Sequence, residues 1–153
     1  MKLTTPPRGV GLTDEHARSQ VTIERISHGK FRASNGRGAQ ITVGSGDSTD
    51  FMPAELLLAA LGGCTSIDVY TLESRRAVPN SFAVQVGAEK TKDERGANRL
   101  TNITVTFRMA FPDGQAGDGA RALLPDVVQQ SHDRLCTVGR TIELGTPITT
   151  RIE

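Results

Sequence analysis

The chain has no tryptophan, one tyrosine and five phenylalanines in 153 residues. So few aromatics argue against a platform on which single-stranded nucleic acid could stack. Charge of one sign is also missing: 18 basic residues face 17 acidic ones, a net charge of +1. No basic footprint for nucleic acid or a membrane surface follows from that balance. Histidine is scarce, and His16, His28 and His132 are scattered without metal-ligand spacing. There is no phosphate-binding loop and no dinucleotide fingerprint. We therefore expect no metal and no organic cofactor. The N-terminus MKLTTPPRGVGLTDEH lacks the apolar core of a secretory signal. The most apolar run carries Glu55 and Asp68, so no membrane span is expected. A cytoplasmic protein with no nucleic-acid or membrane partner is therefore the expectation. Cysteine is scarce too, with only Cys64 and Cys136. In that compartment both thiols rest reduced, and any disulfide between them is transient. Their separation excludes a C-x-x-C redox box and a simple zinc knuckle.

The length favours one domain of ordinary size. Residues 1–18 are rich in proline, glycine and charge and read as a flexible N-terminal arm; residues 19–153 read as a single domain. SQVTIERIS, KFRAS and AQITVG read as three strands. The turn chemistry of Ser27–Lys30 and Asn35–Gly38 links them into an antiparallel meander. A long helix is expected from about Asp50–Pro53 to about Arg76. Asp can cap it, and proline is tolerated in its first turn. Leu56–Leu61 are apolar on all sides, which predicts a helix buried all round at its start. Gly62 and Gly63 each cost roughly 1 kcal/mol in a helix interior, a cost usually tolerated for a close approach. SFAVQVGAE and LTNITVTFRMAF alternate as a half-buried antiparallel pair around a charged turn. A second helix follows, capped by Asp118, with Leu123, Leu124, Val127 and Val128 as its apolar face. TIELGTPITTRIE is expected to close the chain with one or two short strands. The order is α+β, with antiparallel sheets packed around a long central helix.

The thiols admit two readings. A helical thiol and a distant second thiol are the minimum parts of a peroxide-reducing pair, one sulfur attacking and the other resolving. Equally, free cysteines pack as small inert hydrophobes. A cysteine–histidine hydrolase would need His28 or His132 beside Cys64 in space, which spacing does not show.

The runs PAELLLAALGGCTSIDVYTLESRR and CTVGRTIELGTPI resemble the OsmC/Ohr family of osmotically inducible and organic hydroperoxide resistance proteins. The resemblance covers about residue 20 to the end, and GGCTSIDV is similar to the OsmC-like branch. It implies an intertwined homodimer with active sites at the subunit interface. It also implies thiol-dependent reduction of organic hydroperoxides, with an external dithiol as reductant. Carried over, Cys64 is the peroxidatic nucleophile and Cys136 the resolving thiol. Core members carry a glutamate ten positions before the first cysteine. Here Ala54 stands there and the carboxylate is Glu55, a candidate catalytic residue. Core members also carry an arginine in the first hairpin, where Ser27 aligns. Nine helical steps put Glu55 roughly 13 Å along the axis from Cys64. It could serve only a partner's site across a two-fold axis, or act as a first-turn acid on the helix dipole. Asp68, four residues after Cys64, shares its face, and its charge is expected to oppose a thiolate there. The alternative to the peroxidase is a non-catalytic dimer that binds a small apolar ligand at its interface.

Overall fold

A computed structural model of the chain describes residues 19–153. The expected arm, residues 1–18, lies outside them. The chain forms two compact units that divide between Asp50 and Phe51.

The first unit is the expected meander. Strands β1 (Val21–Ser27), β2 (Lys30–Asn35) and β3 (Gln40–Val43) pair antiparallel in that order. Gly29 adopts φ +67 in the first turn, a conformation that favours glycine. The Asn35 side chain accepts hydrogen bonds from the Arg37 and Ala39 amides and so shapes the second turn. Asp50 pairs with Lys30 at 3.0 Å. The hydroxyl of Ser48, and then Lys30, hold the Asp50 carboxyl below its ordinary range. Val21, Ile23 and Ile26 remain exposed.

The second unit is built on α1 (Pro53–Glu73), a helix of 21 residues. By length and composition it is apolar enough to cross a membrane, despite Glu55 and Asp68. Its neighbours in this unit are strand β4 (Ser81–Lys92), α2 (Gln115–Gln130) and α3 (Thr137–Leu144). Leu61, Thr65, Val69 and Glu73 are buried at four-residue intervals, a single stripe. The expectation of a helix buried all round at its start is corrected for the single chain: Leu57, Ala59 and Ala60 are exposed, as are Ile67 and Tyr70 further along. One chain has only enough neighbouring elements to cover one face of so apolar a helix.

Strands β4 (Ser81–Lys92) and β5 (Asn98–Ala110) form the expected hairpin, longer than its apolar alternation suggests. Its register shifts between Gly87 and Glu89. Phe82 meets Tyr70 of α1 and Phe107 of β5 edge-on, which ties helix to sheet. Gly62 explains itself: a Cβ there would stand 2.8 Å from Val86 Cγ2. Gly63 faces open space.

Two expectations fail at the C-terminal end. Asp118 does not cap α2. That helix begins at Gln115 after Gly114, and Asp118 pairs with Arg121 one turn on. The stretch after Cys136 is not a strand. It is α3, closed by Gly145 in the left-handed conformation, and residues 145–153 add no strand. Ala77, Phe111 and Ala120, with Met109 and Leu124, make a small core. Glu73 is buried with neither carboxylate oxygen hydrogen-bonded. Burial holds its carboxyl above the ordinary range, opposed by Arg76.

Candidate functional site

Between α2 and α3 the backbone makes one π-helical turn, Ser131–Leu135, which the sequence pattern does not announce. The Cys136 amide donates to the Ser131 carbonyl five residues back, at 2.9 Å. Such turns are rare and frequent at functional sites. This one delivers Cys136 to the N-cap of α3, where its sulfur accepts the Gly139 amide at 3.2 Å.

Cys136 is buried, 1% exposed, whereas Cys64 in the middle of α1 is half-buried. The two cysteines share one region: Cys136 Sγ and Leu61 Cδ1, one turn before Cys64 on α1, flank Gly139, and Cys64 lies near enough to push the Cys136 thiol up. The Cys136 thiol is pushed up above its ordinary pKa. Burial is the main cause. The Gly139 amide opposes it, while Cys64 and the Asp68 charge add to it. The influence of Asp68 is therefore seen at Cys136.

Asp68 is itself anchored. The buried Ser131 hydroxyl donates to Asp68 Oδ2 at 2.9 Å, linking α1 to the π-helical turn. A hydrogen bond to a charged acceptor is among the stronger kinds. Sequence reasoning passed over Ser131, and no spacing rule would have found it. The bond spans two elements that meet only in the folded chain.

Glu55 stands at the other end of α1. Its carboxylate accepts the Met52 amide at 2.9 Å and completes the helix start. Cys64 and Cys136 are thus brought together, and Glu55 is not brought to them. His28 lies in the first unit. His132 is within reach of Glu143 at 3.4 Å, and Arg140 approaches the same carboxylate at 3.5 Å. The His132 contact joins the π-helical turn to α3, the Arg140 contact lies within α3, and both, being exposed, contribute little stability.

A family model described as OsmC-like protein matches residues 44–151. The chain belongs to the OsmC-like family. An uncharacterised protein of Mycobacterium tuberculosis is 31% identical over 132 residues, covering 85% of this chain and 93% of the relative. An OsmC-like protein of unknown function from Vibrio cholerae superposes with a TM-score of 0.70 at 13% identity, over 84% of this chain and 95% of that one. An organic hydroperoxide resistance protein of Bacillus subtilis superposes with a TM-score of 0.53 at 16% identity, over 82% and 90%. At such identities the two structures establish that the OsmC-like chain shares their α+β fold.

Proposed function

We propose that this OsmC-like protein is a thiol-dependent peroxidase that reduces organic hydroperoxides as a cytoplasmic homodimer. The observation that carries the reading is the packing of α1 against the start of α3, which brings Cys136 into the neighbourhood of Cys64. The name of the Bacillus subtilis relative points to the same chemistry. Cys64 as thiolate attacks the distal peroxide oxygen. The O–O bond breaks, an alcohol leaves after protonation, and Cys64 becomes a sulfenic acid. The Cys136 sulfur then displaces water from it and forms the Cys64–Cys136 disulfide. An external dithiol supplies the two electrons that restore both thiols.

The exposed Leu57, Ile67 and Tyr70 of α1 support assembly as a dimer. An obligate interface of this kind buries more than about 2,000 Å². Sedimentation at micromolar concentration should show a dimer, and a stable monomer would remove any shared site. The activity itself is tested by consumption of cumene hydroperoxide with dithiothreitol. Rates at background would sink the peroxidase. A second reading, a binder of a small apolar ligand, is favoured by a cavity of about 590 Å³ whose walls include Val105, Phe107 and Ile142. A co-purified apolar molecule in native mass spectrometry, with no peroxide consumption, would establish it.

A further inference from the structure

The cavity that favours the second reading is not uniformly apolar. Leu61 of α1, Val105 and Phe107 of β5, and Ile142 of α3 give it apolar wall. Five consecutive residues of β5, Arg99–Ile103, line it as well. A regular strand turns every other side chain away, so five in a row along one space call for a bend. The break in the hairpin register supplies it. Pairing passes from Gly87 opposite Thr104 to Glu89 opposite Thr101, which leaves Asn102 and Ile103 facing Ala88 alone. That is a β-bulge, and the extra residue bends its strand and re-aims the side chains beyond it. Asn102 takes φ 51, the one positive value outside glycine among the described residues. Its side-chain amide donates to Glu89 Oε2 at 2.9 Å, a cross-strand bond at the bulge.

Beyond the bulge stands Arg99, at the edge of the cavity. It borders both the cavity and the adjoining groove at the hairpin tip, where Lys92 and Arg95 lie. Arg99 is exposed, and among the described residues no acid stands within ion-pair distance of it. The acid of the cavity wall is already met: Glu143 is approached by His132 at 3.4 Å and by Arg140 at 3.5 Å. Arg99 is the cation left for a ligand to meet. We propose that the cavity binds a monoanionic amphiphile, its apolar body against Val105, Phe107 and Ile142 and its carboxylate on the Arg99 guanidinium. This rests on the second reading, that the cavity is a ligand site, and names the class of ligand. A guanidinium takes a carboxylate through two parallel N–H···O bonds. One guanidinium, with Glu143 on the same wall, suits a single negative charge better than a phosphate dianion. The volume of about 590 Å³ falls in the range of small-molecule sites.

Isothermal titration calorimetry of the full chain with octanoate and octanamide tests this. The two share an apolar chain, and only octanoate is charged at neutral pH. Octanoate should bind about tenfold more tightly. Arg99→Gln, at an exposed position, should remove that preference and leave the octanamide affinity unchanged. Arg95→Gln, in the groove but outside the cavity, should keep the preference. Ile142→Trp fills the cavity and should abolish binding of both molecules. A preference that survives Arg99→Gln, or that Arg95→Gln removes equally, overturns the proposal. Undiminished binding to a folded Ile142→Trp variant overturns the location. Equal affinities in the parent overturn the anion preference and leave an apolar ligand cavity standing, whereas binding of neither molecule removes the cavity reading as well. No hydroperoxide enters the experiment, so none of these outcomes depends on peroxidase activity.

Discussion

Cys64 and Cys136 are neighbours in space, yet they occupy opposite kinds of backbone. Cys64 sits mid-helix, where the surrounding amides are already engaged in the helix ladder. Cys136 sits at a helix start, where the Gly139 amide is free to donate to its sulfur. A helix start lowers a thiol pKa when it acts alone. At Cys136 it does not prevail, because burial is the larger influence and Asp68 and Cys64 reinforce it. Position at a helix terminus is therefore no guide to thiol reactivity until desolvation has been weighed.

The sharpest way to break this comparison is to remove each sulfur in turn. Cys64→Ser should abolish hydroperoxide turnover. Cys136→Ser should leave about one reduction event per subunit and a Cys64 sulfenic acid that dimedone captures. The reverse pattern would exchange the two roles.

Ser131→Ala removes the hydroxyl that donates to Asp68. Loss of a hydrogen bond to a charged group should cost about 1.5–3 kcal/mol in urea unfolding. Disulfide formation should slow as the π-helical turn loosens. A variant as stable as the parent would show that the bond does not hold the turn.

Glu73 is the contrast to Asp68: an acid on the same helix, buried, with no hydrogen-bond partner. Its folded pKa is raised, mainly by burial. Its favourable contribution is therefore present below the unfolded carboxyl pKa and is lost as pH rises through the folded one. Glu73→Met should stabilise the protein at neutral pH by about 1–3 kcal/mol. The gain should shrink as acid protonates the parent. A gain independent of pH would assign it to packing instead.

Asp68→Asn keeps an acceptor for Ser131 and removes the charge. The pH profile of Cys136 alkylation should move to lower pH, by less than burial has raised it, since Asp68 is the smallest of the named influences. An unmoved profile would assign the whole rise to burial and Cys64. The smallest effect is expected from Glu55→Ala, about 0.3–1 kcal/mol from the start of α1, read as a lower Tm. A collapse of turnover at unchanged Tm would instead place Glu55 at a partner subunit's thiol.

Much of this was legible in the residues. Alternation gave the meander and the long hairpin, and the apolar run with Pro53 gave α1. The failures have physical causes. Thr141 and Ile142 are β-branched and read as strand, but the Cys136 cap and Gly145 close them into a helix. Asp118 resembles a cap because acids favour first turns, and it occupies one without bonding the helix amides. The apolar run of α1 showed what must be covered, without showing that the chain covers only one face. The meeting of the thiols was accessible only through the family resemblance, because no local rule fixes a distance across so many residues. Ser131 carried no signal of its own.

The π-helical turn turns arithmetic into chemistry. A helix advances about 100° per residue, so deleting one residue from Ser131–Leu135 would rotate all that follows by about that angle. Cys136 would keep its identity and its neighbours in sequence, yet point away from Cys64. Descendants of this gene could change many side chains around the pair and keep it, while the shortest in-frame deletion here would part the two sulfurs.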